Sequence, residues 1–297
     1  METKIIVVLG ATGAQGKGVV DALVNEGLYH VKAVTRNPEK YLGNANEAVF
    51  ADLNNTESLK DAFKDAYGVF VVTNFWEGAD EIEQSKNAIE AAKSAGVQHF
   101  IWSTLPDVEV ISHAEFDVPH FTNKAKADDL VKNAGFRYST LVQPPFYFQN
   151  LTGAIPPQPK QDGTTGWTLP IDPTIKAIHM ADIHDLGKVV AGAFAQPEKV
   201  GNGNYLSLAT EFNSFNDIIE AYKANGQDYT FTQVPAALFS TFFEGAKEFS
   251  EMFGYFEKYT YMGPDPESRI ALANEIATSK FVTLREWLTE NVQEVKE

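Results

Sequence analysis

The sequence predicts an α/β protein: a doubly wound parallel sheet followed by a smaller, mostly helical C-terminal domain. Three observations predict it. Short β-branched runs alternate strictly with helical patterns from residue 4 to about residue 143, which requires parallel crossover connections. The first of these runs leads straight into a glycine-rich turn and a helix. The alternation then stops at Pro144-Pro145, and the last third of the chain is rich in phenylalanine and tyrosine.

The elements follow in order. Ile5-Ile6-Val7-Val8-Leu9 reads as a strand buried on both faces. Val19, Val20, Leu23 and Val24 fall at helical spacing, and Gly27 stands where that helix stops. Tyr29 to Val34 is a second strand and Ala48 to Ala51 a third. Thr56 can cap a helix whose inner face is Leu59, Ala62, Phe63 and Ala66. Val69 to Val72 is the fourth strand. Ile82, Ser85, Ile89 and Ala92 mark a helix closed by Gly96, and His99 to Trp102 is the fifth strand. Ala125, Leu130, Val131 and Ala134 mark a helix ended by Gly135, and Tyr138 to Val142 is the sixth strand. Residues 153 to 173 hold glycines and prolines throughout and read as loop, with a short hairpin around Trp167 to Leu169. Asp182 to Ala195 is helical again. The aromatics Phe239, Phe242, Phe243, Phe249, Phe253, Tyr255, Phe256, Tyr259 and Tyr261 read as the core of a small helical domain. The expected division is a nucleotide-binding domain over 1–150, with 175–200 returning to it, and a smaller substrate or partner domain over 151–297.

Composition narrows the function. Lys plus Arg is 24 against 40 Asp plus Glu, a net charge of −16. Such a surface repels phosphate backbones and anionic lipid, so direct contact with nucleic acid or membrane is not expected. There is no cysteine. Disulfides, thiolate nucleophiles, cysteine-bound zinc and thiol redox switches are therefore excluded. His30, His99, His113, His179 and His184 show no metal-ligand spacing, so no metal site is expected. No apolar run reaches 18 residues and the N-terminus carries no signal-peptide pattern. An intracellular protein is expected, in the cytoplasm or the nucleus.

Gly10, Gly13 and Gly16 space as G-x-x-G-x-x-G after a buried strand and before an amphipathic helix, which is the setting of a Rossmann-type dinucleotide site. The first glycine permits the turn, the second lets backbone approach a pyrophosphate, and the third lets the helix pack closely. The free N–H groups and positive dipole end of the helix then face the phosphates. After the second strand, NAD-specific folds place Asp or Glu to hold the ribose. Here the chain reads Val34-Thr35-Arg36-Asn37-Pro38. Arg36 can bind a 2′-phosphate and stack on adenine, Thr35 offers a hydroxyl, and Lys40 lies within reach. The expected cofactor is NADP(H).

These motifs resemble the NmrA-like branch of the atypical short-chain dehydrogenase/reductase superfamily. The resemblance rests on Gly10-Ala11-Thr12-Gly13-Ala14-Gln15-Gly16, Thr35-Arg36-Asn37-Pro38, Ala51-Asp52-Leu53, Phe100-Ile101-Trp102-Ser103, Lys124 and Ala181-Asp182-Ile183-His184-Asp185-Leu186-Gly187. It covers essentially the whole chain. It implies a cleft between a Rossmann domain and a smaller C-terminal domain, with Thr12 and Gln15 in the phosphate turn. It also implies Asp52 and Leu53 beside the adenine, and Thr73, Asn74 and Phe75 along the cofactor's central stretch.

Reductases of that superfamily use a Tyr-x-x-x-Lys pair one helical turn apart, the lysine on the nicotinamide ribose and the tyrosine as proton donor. Here the pair reads His120-Phe121-Thr122-Asn123-Lys124. Lys124 is in place for the ribose; His120 stands where the tyrosine would. After the fifth strand comes Ser103-Thr104-Leu105, and in one register Leu105 takes the position of the helping serine. His120 is either an acid with an ordinary pKa of about 6.5 or a filler of the tyrosine's space. The filler reading is preferred. Lys124 itself can be the acid or base, as is proposed for isoflavone-reductase-like relatives.

Two functions follow. One is a redox-sensing regulator that reports NADP(H) occupancy to a protein partner without efficient dehydrogenase activity. The family's fungal regulator, which binds a GATA-type transcription factor, is the precedent. The other is an NADPH-dependent reductase of a small carbonyl, enone or quinone, using Lys124 and His120. The intact cofactor motif beside an altered catalytic pair favours the first.

Overall fold

The computed structural model describes residues 3–78 and 80–292. Seven strands form one parallel sheet: β1 (Lys4–Val8), β2 (Tyr29–Thr35), β3 (Glu47–Phe50), β4 (Ala66–Val71), β5 (His99–Ser103), β6 (Tyr138–Gln143) and β7 (Asn202–Ser207). Their spatial order is β7-β6-β5-β4-β1-β2-β3. All six pairings are parallel. The order reverses between β1 and β4, which is where an open α/β sheet leaves a crevice at the strands' carboxyl ends.

The apolar run of β1 is explained by its two covered faces. Ile6 and Val8 enter the core under one layer of helices, and Val7 enters the core on the other side. Helix α1 (Ala14–Glu26) and the helix Leu186–Ala195 cover the first face. Helices α2 (Thr56–Ala62) and α3 (Glu81–Ser94) cover the second with Leu59, Ala62, Ala88, Ala91 and Ala92. Helix α1 and Leu186–Ala195 meet backbone to backbone. A Cβ on Gly187 would stand 2.0 Å from the Gly18 carbonyl oxygen, and one on Gly18 would stand 2.9 Å from the His184 Cα. Only hydrogens fit at this crossing.

Local signals explain most boundaries. Gly27 takes the left-handed conformation that ends α1. The cap of α2 falls one residue earlier than expected: Asn55, not Thr56, accepts from the Ser58 N–H. The single helix expected around Leu130 is two short ones, Pro119–Ala125 and Asp128–Asn133, and Leu130 is exposed. Strand β7 has no β-branched run, and nothing in its Asn-Gly-Asn-Tyr-Leu-Ser sequence announces an edge strand.

Beyond β6 the second core forms around Trp167, Tyr222, Phe253, Phe256 and Trp287. It joins the helices Phe215–Ala224, Ala246–Tyr259 and Leu284–Asn291 to two small sheets. The hairpin expected near Trp167 is present, with Thr165–Leu169 antiparallel to Gln158–Pro159 and also parallel to Thr230–Gln233. Both outer helices carry reciprocal capping boxes, Ser214 with Asp217 and Thr283 with Glu286.

Candidate nucleotide site

The loops that follow β1 through β6 open into one cavity of about 980 Å³. It is lined by Gly10, Thr12, Gly13, Gln15, Gly16, Thr35, Arg36, Asp52, Leu53, Thr73, Asn74, Phe75, His120 and Lys124. The sequence therefore names residues from five separate segments that the fold brings to one cavity. Lys40 and Leu105 line it as well, whereas Ser103 and Thr104 are fully buried behind it.

At the β1–β3 end the glycine turn is shaped by contacts. Gly10 has φ of +66° and faces Val72; a Cβ on Gly16 would stand 2.1 Å from the Gly10 carbonyl oxygen. Gly13 differs: its backbone is extended, at φ −88° and ψ 169°, and a Cβ there would meet only the Gly10 oxygen, at 3.3 Å. The side-chain space at Gly13 is the cavity itself, a cradle a Cβ would fill. Helix α1 has no side-chain cap and no acidic residue in its first turn, so its positive end is left to the cavity. This donor set fits a pyrophosphate. Arg36 is half exposed and pairs with Glu77, Nη1 to Oε2 at 3.1 Å and Nη2 to Oε1 at 3.3 Å. The Asp52 carboxylate accepts from the Asn54 backbone and side chain.

The β4–β6 end is tied up. The buried Lys124 ammonium donates to the Thr73 carbonyl at 2.8 Å, to Thr73 Oγ1 at 2.9 Å and to Glu81 Oε1 at 2.5 Å. An ammonium has three protons, and these three acceptors take them all. Burial pulls the Lys124 pKa below the ordinary lysine range, with Glu81 opposing it. Glu81 is itself fully buried, and its Oε2 has no hydrogen-bond partner. His120 is held in the same way. Its Nδ1 and its backbone N–H both meet Glu248 Oε1, at 2.5 and 3.1 Å, from the helix Ala246–Tyr259. Burial would raise the Glu248 pKa, but these hydrogen bonds outweigh it and hold the carboxylate below its usual range. Leu105 puts an apolar side chain on the cavity wall.

Two tyrosines here are not among the site residues that the sequence reading names. Gln15 Nε2 donates to the Tyr147 hydroxyl at 2.8 Å, and Gln15 Oε1 accepts from Ser103 Oγ at 2.7 Å. Tyr147 and Tyr261 line the inner end of the cavity with Phe146, Ile155, Phe249 and Met252. Burial raises both phenols' pKa values, so they stay protonated. Tyr147 follows β6 by a few residues, so the carboxyl-end rule for α/β sheets would have pointed to it; nothing local would have pointed to Tyr261.

The model of the NmrA-like family matches residues 2–288. The chain belongs to the NmrA-like family. Among curated relatives, the nitrogen metabolite repression protein nmrA of Emericella nidulans is 29% identical over 79% of this chain and 69% of its own length. The NmrA-like oxidoreductase FrzB of a Cladobotryum species is 27% identical over 74% of this chain and 73% of its own. Among solved structures, NmrA, a negative transcriptional regulator in complex with NADP, superposes with a TM-score of 0.79 at 24% identity, covering 98% of this chain and 96% of that one. A quinone oxidoreductase of Escherichia coli complexed with NADPH superposes at 0.75 with 18% identity, covering 96% and 99%. This NmrA-like chain thus shares its fold with a regulator and with reductases. Among the described residues no helix is long and apolar enough to cross a membrane, and no cluster of three His, Asp or Glu is placed to hold a metal.

Proposed function

We propose that this NmrA-like protein binds NADP(H) in the 980 Å³ cavity and acts as an occupancy sensor read by a protein partner, with little dehydrogenase turnover. The observation that carries the proposal is Lys124, whose three ammonium protons are all engaged by Thr73 and Glu81. A group so engaged has to break one of these hydrogen bonds before it can donate to a substrate carbonyl. The glycine turn with its uncapped helix supports the binding half of the reading. The repression protein among the relatives supports the regulatory half. A bound nicotinamide would supply a hydride. The chain's own contribution at the Arg36 end is charge for a 2′-phosphate, and at the Lys124 end a rigid wall.

Titration calorimetry with NADP⁺, NADPH, NAD⁺ and NADH tests the binding. Replacing Arg36 by Ala removes a charge-assisted contact worth about 1.5–3 kcal/mol, so NADP⁺ should weaken by about ten- to a hundredfold while NAD⁺ barely moves. Equal loss of both would show that Arg36 does not meet the 2′-phosphate.

A reductase remains the second reading, favoured by the apolar inner end of the cavity and its two phenols, and by relatives named oxidoreductases. NADPH oxidation with a panel of carbonyls and quinones separates the two. A sensor gives rates at background. An enzyme gives rates that fall by about 10²–10⁴ in His120→Ala, if His120 is the acid.

A further inference from the structure

We infer that Glu77 is a specificity-determining residue, a clasp on Arg36 that a 2′-phosphate has to displace. The inference rests on the nucleotide reading above and extends it.

The topology makes the Arg36–Glu77 pair a bridge. Arg36 directly follows β2 and Glu77 lies in the loop after β4. The sheet order is β4-β1-β2, so β1 and its glycine turn lie between the two charges. The pair therefore spans the crevice across which a dinucleotide would lie.

The clasp is built rather than incidental. Glu77 ends a short 3-10 turn, Phe75–Glu77, that Asn74 caps by accepting from the Trp76 N–H at 3.2 Å. Asn74 Nδ2 also donates to Glu77 Oε1 at 3.1 Å. Trp76 anchors the turn to the C-terminal helix by stacking on Phe249, with ring centroids 5.9 Å apart and planes 14° apart. Glu77 and Asp52 are the two carboxylates on the cavity wall, and the Asp52 carboxylate is already held by Asn54.

The consequence depends on the nucleotide. An ionised carboxylate only accepts hydrogen bonds. The ribose hydroxyls of NAD are donors, so Glu77 can stay beside them, as a strand-end acid does in NAD-binding folds. A 2′-phosphate is an anion. It takes Arg36 from Glu77 and then stands beside a like charge. Both ends of the pair are exposed, at 62% and 50%, so water screens the attraction and the clasp yields. Glu77 thereby lowers the preference for NADP over NAD and lets one site accept both.

The test is calorimetry with NADP⁺ and NAD⁺ on wild type, Glu77→Gln, Arg36→Ala and the double variant. Glu77→Gln should tighten NADP⁺ by about three- to tenfold and leave NAD⁺ within about twofold. In the Arg36→Ala background the gain should be smaller, because no arginine remains to be released and only the like-charge repulsion is relieved. An unchanged NADP⁺ affinity in Glu77→Gln overturns the clasp, and so does an equal gain with Arg36 absent. In either case a wild type that binds NADP⁺ keeps the nucleotide reading. A wild type that binds neither nucleotide removes both.

Discussion

The two ends of the cavity are built on opposite plans. Around β1 to β3 the wall is backbone: a turn of three glycines and a helix start that no side chain caps. Around β4 to β6 the wall is side chains already bound to each other: Lys124 with Glu81 and Thr73, His120 with Glu248, Gln15 with Ser103 and Tyr147. One end leaves the donors at the start of α1 uncapped and holds Arg36 only in an exposed pair with Glu77. The other spends its donors within the chain. On the reading proposed above, binding and chemistry are separable in this fold, because they would draw on different loops of the same sheet.

The largest effect should come at the backbone end. Gly13 has an ordinary extended conformation, so Gly13→Val leaves the fold intact by circular dichroism. Its side chain would fill the phosphate cradle, and nucleotide affinity should fall by more than about a hundredfold. Unchanged affinity would place the phosphate elsewhere and erase the contrast between the ends.

At the other end the expected loss is in stability. Lys124→Met strands the Glu81 carboxylate, whose Oε2 already lacks a partner. Breaking such a buried pair from one side costs about 3–5 kcal/mol, and removing both charges with Glu81→Leu in addition should restore much of it. Urea unfolding of the two variants measures this. A single-variant loss under about 1 kcal/mol would mean that the pair does not hold this wall together.

The smallest effect concerns Asp128, behind the same end, where Tyr205 donates to its Oδ2 at 2.8 Å. Burial lifts its carboxyl from 3.8 to about 7. Between those values the folded protein holds a proton that the unfolded chain releases, so this group stabilises less as pH rises. His99 and His179 act the other way. Burial lowers them to about 3 and about 4, so below the ordinary histidine pKa the unfolded chain takes up protons and stability falls with falling pH. Asp128 offsets one of them. Asp128→Asn should therefore steepen the loss of stability between pH 6 and pH 5 by about 1.4 kcal/mol per pH unit in urea unfolding. An unchanged slope would mean that Asp128 is ionised in the folded state.

The same contrast governs what could be read from sequence. Gly10, Gly13, Gly16 and Arg36 are marked by local backbone and strand-end position, and their spacing is visible in a stretch of residues. Lys124 and His120 are visible as a pair, but their partners are not. Glu81 lies 43 residues from Lys124, and Glu248 lies 128 from His120. No periodicity links residues that meet only after the chain has crossed the sheet. Strand β7 was illegible for a related reason. It is an edge strand whose first four residues are not fully buried, so its composition lacks the apolar run that marked β1. Asn55 rather than Thr56 caps α2 because both residue types cap well, and composition does not choose between neighbours.

The crossing of Gly18 and Gly187 has a thermodynamic consequence for the phosphate end. Helix α1 is clamped from behind at van der Waals distance by a segment some 170 residues further along the chain. Its uncapped N-terminus is therefore ordered by folding, before any anion arrives. Little chain entropy is left to lose on association, so the affinity that the glycine turn delivers is set by preorganisation as much as by the number of its donors.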